Sequence, residues 1–156
     1  MLIFVYGTLL SELPLSHTLD NAEFLGKAVA GGVQLYNLGY YPGIKYGDGA
    51  VIGEIYSVNN ETLQTLDTVE GFDSTNISNS LYHRSEIRII APTIATDVFA
   101  YYYNLQVDES MLIDSGDYRN FLQFETVAWL KYVNQTNCYQ PFTDIESFKF
   151  QSTLTP

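Results

Sequence analysis

The sequence predicts an α+β fold: a small mixed curved β-sheet or barrel of about five to seven strands, with flanking helices. Three observations predict it. The chain starts with a continuous apolar run, Leu2-Ile3-Phe4-Val5, as a strand buried on both faces should. Further strand-like segments at residues 51–58, 82–90 and 98–103 follow without a regular alternation of strand and helix. Helical patterning is confined to a few stretches, chiefly near residues 60–70 and 118–133. With 156 residues, no internal repeat and no linker-like composition, the chain reads as one domain. The domain is expected over residues 1–133, with residues 134–156 as a tail or a surface-laid extension of it.

The opening run leads into Tyr6-Gly7-Thr8-Leu9, where glycine permits a tight turn and close backbone approach. Residues 11–19 are mixed and predict a short helix interrupted at Pro14. Residues 24–36 carry small side chains and the pair Gly31-Gly32, which predicts one or two bent strands. Gly39-Tyr40-Tyr41-Pro42-Gly43 and Gly47-Asp48-Gly49 are turn chemistry set among aromatic rings, a composition suited to a loop overhanging a site. Residues 51–58 follow as a strand in which Gly53 marks a bulge or a close approach. After the first helix comes a polar loop at residues 73–80, expected to be mobile, then strands at 82–90 and 98–103. Residues 114–117 make a turn and cap. The longest helix is expected over 118–133, with Phe121, Phe124 and Ala128 on one face and Leu122 and Trp129 beside them.

The helix near residue 60 holds the candidate reactive group. Asn59 or Asn60 can cap its first N–H groups, Glu61 suits its positive end, and Gly71 fits the left-handed residue that closes many helices. Glu70 does not fit, because a carboxylate in the last turn faces unpaired carbonyls at a cost of a few tenths to ~1 kcal/mol. At ~100° per residue, Leu63, Leu66 and Glu70 share a face. If the leucines meet a core, Glu70 points into it or into a cleft, and burial plus the negative helix end would raise its pKa towards that of a general base. The alternative is a helix-end glutamate that bends to solvent or pairs with an arginine.

Composition excludes several classes. Eighteen acidic against seven basic side chains give a net charge of -11, so nucleic acid is a poor partner and anionic membrane surfaces are disfavoured. No window approaches the ~18 apolar residues of a membrane span, and the terminus lacks the basic region of a signal sequence. Cys138 is the single cysteine, which excludes an internal disulfide. A cytoplasmic protein is expected. Thirteen tyrosines, against nine phenylalanines, are enough to line a pocket or its rim. His17, His83 and one cysteine cannot by themselves supply a structural zinc site. Neither the serine-hydrolase elbow nor the phosphate-loop pattern occurs.

What remains is one glutamate, one glycine turn and a set of tyrosines. On these residues the chain resembles the γ-glutamylcyclotransferase-like superfamily, in the branch of the γ-glutamylamine cyclotransferases and AIG2-like proteins. Val5-Tyr6-Gly7-Thr8-Leu9 is similar to the opening motif of that family, and Tyr41-Pro42-Gly43 to its Tyr-Pro turn. Val51-Ile52-Gly53-Glu54-Ile55-Tyr56 resembles its second glycine strand, and Leu66-Asp67-Thr68-Val69-Glu70-Gly71 carries its acid/base glutamate. Tyr82-His83-Arg84 and Ser115-Gly116-Asp117-Tyr118 resemble two later motifs, the last usually ending in tryptophan. The matches run from residue 2 to about residue 120 in the family's order.

The resemblance implies the fold of that superfamily and an enzyme that cleaves a γ-glutamyl amide without water, releasing 5-oxoproline and an amine. It implies Glu70 as general acid/base and the Tyr6-Gly7-Thr8-Leu9 turn as the holder of the substrate carboxylate and oxyanion. Tyr41 and Tyr82, with Tyr40 beside them, are expected to pack the substrate's stem. No metal and no cofactor are implied, and the chain is expected as a monomer or homodimer. Asp67 either raises Glu70's pKa by repulsion or is neutralised by Arg84, with the ion pair favoured. Glu54 reads as a strand residue without an assigned role. Two other readings stay open: a non-catalytic module binding an amino-acid-like carboxylate, and an enzyme removing a γ-glutamyl group within a biosynthetic pathway.

Overall fold

Strand β1 (Leu2–Val5) lies inside the sheet, which is why its run is apolar throughout. It pairs antiparallel with β3 (Pro42–Ser57) on one side and parallel with β6 (Val98–Tyr103) on the other. Ile3 and Phe4 are accordingly shut off from solvent. The structure, a computed structural model, describes residues 1–126. The second half of the expected helix, with Ala128 and Trp129, and the segment 134–156 lie outside the described residues.

Between β1 and β3 the chain makes a single 3-10 turn at Ser16–Leu19, where a short interrupted helix is expected, and then β2 (Glu23–Asn37). β2 and β3 form one long antiparallel hairpin. Its connection, residues 38–41, is closed by the Leu38 N–H donating to the Tyr41 carbonyl at 3.0 Å, with Gly39 at φ 101. The expected turn around Tyr40 and Tyr41 is therefore present, but Gly47-Asp48-Gly49 is not a second turn. It lies inside β3, opposite a break in register between Gly31 and Val33 where Gly32 takes φ 77. The two glycine groups face each other across the hairpin and bend it together.

The strand expected over residues 82–90 is in fact two. β4 (Tyr82–Glu86) pairs with β6, while β5 (Ile89–Ala91) pairs with β2. In the sheet order β4-β6-β1-β3-β2-β5 these strands occupy opposite edges. Three residue steps, from Glu86 to Ile89, cover at most about 11 Å. The edges can be that close only if the sheet curls on itself. β3 confirms the curl, since Glu54 pairs with Val5 of β1 while Ile44 reaches Tyr102 of β6. The architecture is a six-stranded mixed sheet rolled into a half-barrel, with two helices.

Helix α1 (Asn60–Val69) follows β3, and its Leu66 is fully buried. The segment 73–80, expected as a mobile polar loop, contains a short 3-10 turn at Ile77–Asn79, and the Asp73 N–H donates to Ser80 Oγ at 2.8 Å. Helix α2 starts at Tyr118 and is described to residue 126. Asp117 caps it by accepting the Asn120 N–H. Its buried face runs through Tyr118, Leu122 and Thr126, and Phe124, expected on the inner face, is 70% exposed. At ~100° per residue Phe124 falls on the side of α2 opposite Leu122, whereas Phe121 packs partly buried at the edge of the inner face.

Candidate active site

Glu70 is set by the way α1 ends. Asn59 starts the helix by accepting the Thr62 N–H at 2.8 Å. At the other end the Phe72 N–H donates to the Asp67 carbonyl (2.8 Å) and the Gly71 N–H to the Thr68 carbonyl (3.2 Å), with Gly71 at φ 60. This paired closure needs a left-handed residue, which glycine supplies without a Cβ penalty. It fixes Glu70 as the residue that caps the helix, φ -84 and ψ -1. Leu66, one turn earlier on the same face, is buried in the core, so Glu70 is aimed at the sheet. There it lines a narrow cleft of about 530 Å³, counted to its open mouth.

Within that cleft the Glu70 carboxyl makes no hydrogen bond to another of the described residues. The carboxyl oxygens keep some contact with solvent, but the surrounding protein desolvates the charged form and pushes the pKa up to about 7. The group is thus poised to gain or lose a proton near neutral pH.

Opposite Glu70 runs the turn that leaves β1. Tyr6, Gly7, Thr8 and Leu9 line the cleft, as do Tyr41 and Tyr82. The turn is closed by the Leu10 N–H donating to the Gly7 carbonyl at 2.9 Å, and the Leu15 N–H donates to the Thr8 carbonyl at 3.0 Å. The N–H groups of Gly7, Thr8 and Leu9 donate to none of the described residues. Three successive N–H groups without a partner among the described residues are donors that an anion in the cleft could take. The Leu9 side chain belongs to the core. Gly7 adopts an ordinary φ, and its role is space: a Cβ there would stand 2.5 Å from Pro42 Cγ.

Tyr6, Tyr41, Tyr82 and Tyr101 help line the cleft, and the hydroxyls of Tyr6 and Tyr82 are spent on backbone carbonyls. Tyr6 Oη donates to the Tyr101 carbonyl at 2.6 Å and Tyr82 Oη to the Pro42 carbonyl at 2.7 Å. Burial, reinforced by the nearby Glu70 charge, pushes both phenols up, so they stay protonated. The Tyr41 and Tyr82 rings meet edge to face at 6.2 Å. Tyr40 is 55% exposed, and its side chain is outside the lining.

Asp67 is paired with Arg84, as the sequence favours, and also accepts Tyr101 Oη at 2.5 Å. The Arg84 guanidinium stacks 5.2 Å from the centre of the Phe72 ring. Asp67 is thus engaged by the sheet. Glu54, unassigned from sequence, is 1% exposed and carries a full set of partners: Ser11, Tyr56 and Arg119. The available signal was a lone charge inside the apolar strand Val51-Ile52-Gly53-Glu54-Ile55-Tyr56, where an unpaired carboxylate would be prohibitive.

The curled mixed sheet thus brings a carboxyl with a raised pKa and the turn after β1 to the lining of one cleft on an α+β half-barrel. A profile described as "Gamma-glutamyl cyclotransferase, AIG2-like" matches residues 3–120, and the chain belongs to that family. The Gamma-glutamylcyclotransferase family protein YtfP of Escherichia coli is 38% identical over 118 residues, covering 76% of this chain and 96% of that protein. The crystal structure of the uncharacterized protein PH0828 from Pyrococcus horikoshii superposes with a TM-score of 0.66 at 28% identity, over 82% of this chain and 97% of that one. An aig2-like protein from Mus musculus superposes with a TM-score of 0.58 at 26% identity, over 75% and 86% respectively. Among the described residues no helix is long and apolar enough to cross a membrane.

Proposed function

We propose that the protein is a γ-glutamylcyclotransferase that cleaves a γ-glutamyl amide by intramolecular attack of the substrate's α-amine, with Glu70 as general acid/base. Family membership supports the reaction class. The observation that carries the residue roles is one cleft lined by a carboxyl with a raised pKa and by a turn of N–H donors, neither partnered among the described residues.

The substrate's α-carboxylate or the developing oxyanion docks on the N–H groups of Gly7, Thr8 and Leu9, where fixed dipoles stabilise negative charge without reorganising. Ionised Glu70 takes a proton from the α-ammonium, and the freed amine attacks the γ-carbonyl carbon. A carbon–nitrogen bond closes the five-membered ring and the carbonyl electrons move to oxygen. Collapse of that oxyanion breaks the bond to the amide nitrogen. Overall two protons leave the α-nitrogen and two arrive on the departing amine, with Glu70 carrying them in turn. Ring closure is intramolecular, so the folded pose held against Tyr41 and Tyr82 can remove ~7–11 kcal/mol of barrier.

The test is release of 5-oxoproline from a panel of γ-glutamyl amides by the purified chain and by Glu70→Gln. We expect turnover by the former and a loss of about 10²–10⁴ in kcat in the variant, with product binding retained. Binding without turnover of any γ-glutamyl compound would make the cleft a carboxylate-binding module.

A further inference from the structure

The donor turn is held at its two ends by neighbouring groups of β3. On the near side, Val5 is the register partner of Glu54. Its carbonyl also lies so close to Gly53 that a Cβ there would stand 2.2 Å from the oxygen. On the far side, two residues past Leu9, Ser11 donates its N–H to Glu54 Oε2 at 2.9 Å and its hydroxyl to Oε1 at 2.7 Å. Arg119, from the first turn of α2, donates through Nη2 to the Ser11 carbonyl, to Ser11 Oγ and to Glu54 Oε1, each at 2.8 Å. Tyr56 Oη completes the set on Oε2 at 3.0 Å.

We propose that Glu54, acting through Ser11 and Arg119, is the positioning residue of the donor turn and sets how tightly the cleft holds the substrate's carboxylate. The inference rests on the cyclotransferase reading of the same cleft. None of the three residues lines the cleft, so none touches the substrate. Relative to an apolar replacement a buried ion pair adds little net stability, and its consequence here is geometric. Both carboxylate oxygens are saturated by donors from three separate elements, which fixes Ser11 in all directions. The N–H groups of residues 7–9 therefore have one arrangement, and a donor displaced by 1 Å costs a hydrogen bond to the anion.

The experiment compares the full chain with Ser11→Ala, Arg119→Met and Arg119→Lys. It measures the Kd for 5-oxoproline and L-glutamate by calorimetry, and the kinetics of a γ-glutamyl amide across pH. Ser11→Ala and Arg119→Met should raise Kd and KM by about five- to a hundredfold. The acid limb of kcat/KM, which belongs to Glu70, should stay where it is. Arg119→Lys, which keeps a charged donor, should recover most of the affinity. Unchanged Kd and KM with only a lower Tm would make the network structural and overturn the proposal, as would a displaced acid limb. Should Arg119→Met fail to fold, Ser11→Ala still decides, because it keeps the Ser11 N–H on Oε2. A wild type that binds 5-oxoproline but turns over no γ-glutamyl amide ends the cyclotransferase reading, while loss of binding in Ser11→Ala would still uphold the positioning. A wild type that binds neither anion overturns it.

Discussion

Glu54 is fully buried and Glu70 partly so, yet the two glutamates meet opposite fates, and the difference lies in their hydrogen bonds. Burial alone would raise both. At Glu54 the donors from Ser11, Arg119 and Tyr56 outweigh burial and hold the carboxyl below its ordinary value. At Glu70 nothing offsets burial, and the pKa climbs to about 7. The raised value fixes a sign. Below the unfolded pKa of ~4.3 Glu70 is neutral in both states. As pH rises through the folded value, ionisation in the native cleft costs stability that the unfolded chain does not lose. Glu70→Gln should therefore match the wild type near pH 4 and exceed it above pH 7, by as much as about 3 kcal/mol. Tm measured for both proteins from pH 4 to 8 checks this, and a variant less stable at pH 8 would mean Glu70 has a structural partner. The same titration should give kcat/KM an acid limb centred near pH 7 that is absent from the residual activity of Glu70→Gln.

The element that aims Glu70 is α1, and its closing residue carries the precision. Gly71 sits at φ 60, and a Cβ there would come within 3.3 Å of Leu81 Cβ. Gly71→Ala adds left-handed strain of roughly 1–2 kcal/mol. Urea unfolding should show a loss of that size. Any relaxation that unwinds the closure also rotates Glu70, so kcat should fall while Kd for 5-oxoproline holds. A variant with full kcat and lowered stability would separate the closure from catalysis. This helix was legible in the sequence because each of its determinants is local: Asn59 as cap, Leu66 as the buried position, Gly71 as stop. The turn after β1 was legible for the same reason. The Glu54 network was not. Its partners lie 43 and 65 residues away in the chain, and only the folded sheet brings Ser11 and Arg119 to one carboxylate. The break between β4 and β5 was hidden too, since residues 82–90 alternate smoothly and the switch of partner strand comes from the curl.

Charge is a property of the whole molecule. A chain with a net charge of -11 carries a negative field as a whole. That field opposes an anionic ligand, although the donor turn favours one at contact distance. The two act over different ranges: the turn works by hydrogen bonds inside the cleft, the field over a Debye length of about 30 Å at 0.01 M salt and about 8 Å at 0.15 M. A γ-glutamyl amide with an uncharged leaving amine brings one ammonium and one carboxylate, and feels little net force. γ-Glutamylglycine brings a second carboxylate and is repelled. Raising salt from 0.01 to 0.15 M should therefore lower KM for γ-glutamylglycine several-fold and leave KM for γ-glutamylbutylamide nearly unchanged. The screened repulsion acts on encounter, so kcat for either substrate should not move. Equal salt responses for the two substrates would mean the field at the cleft mouth is set by neighbouring groups alone, with the remaining acidic surface too distant or too well solvated to matter.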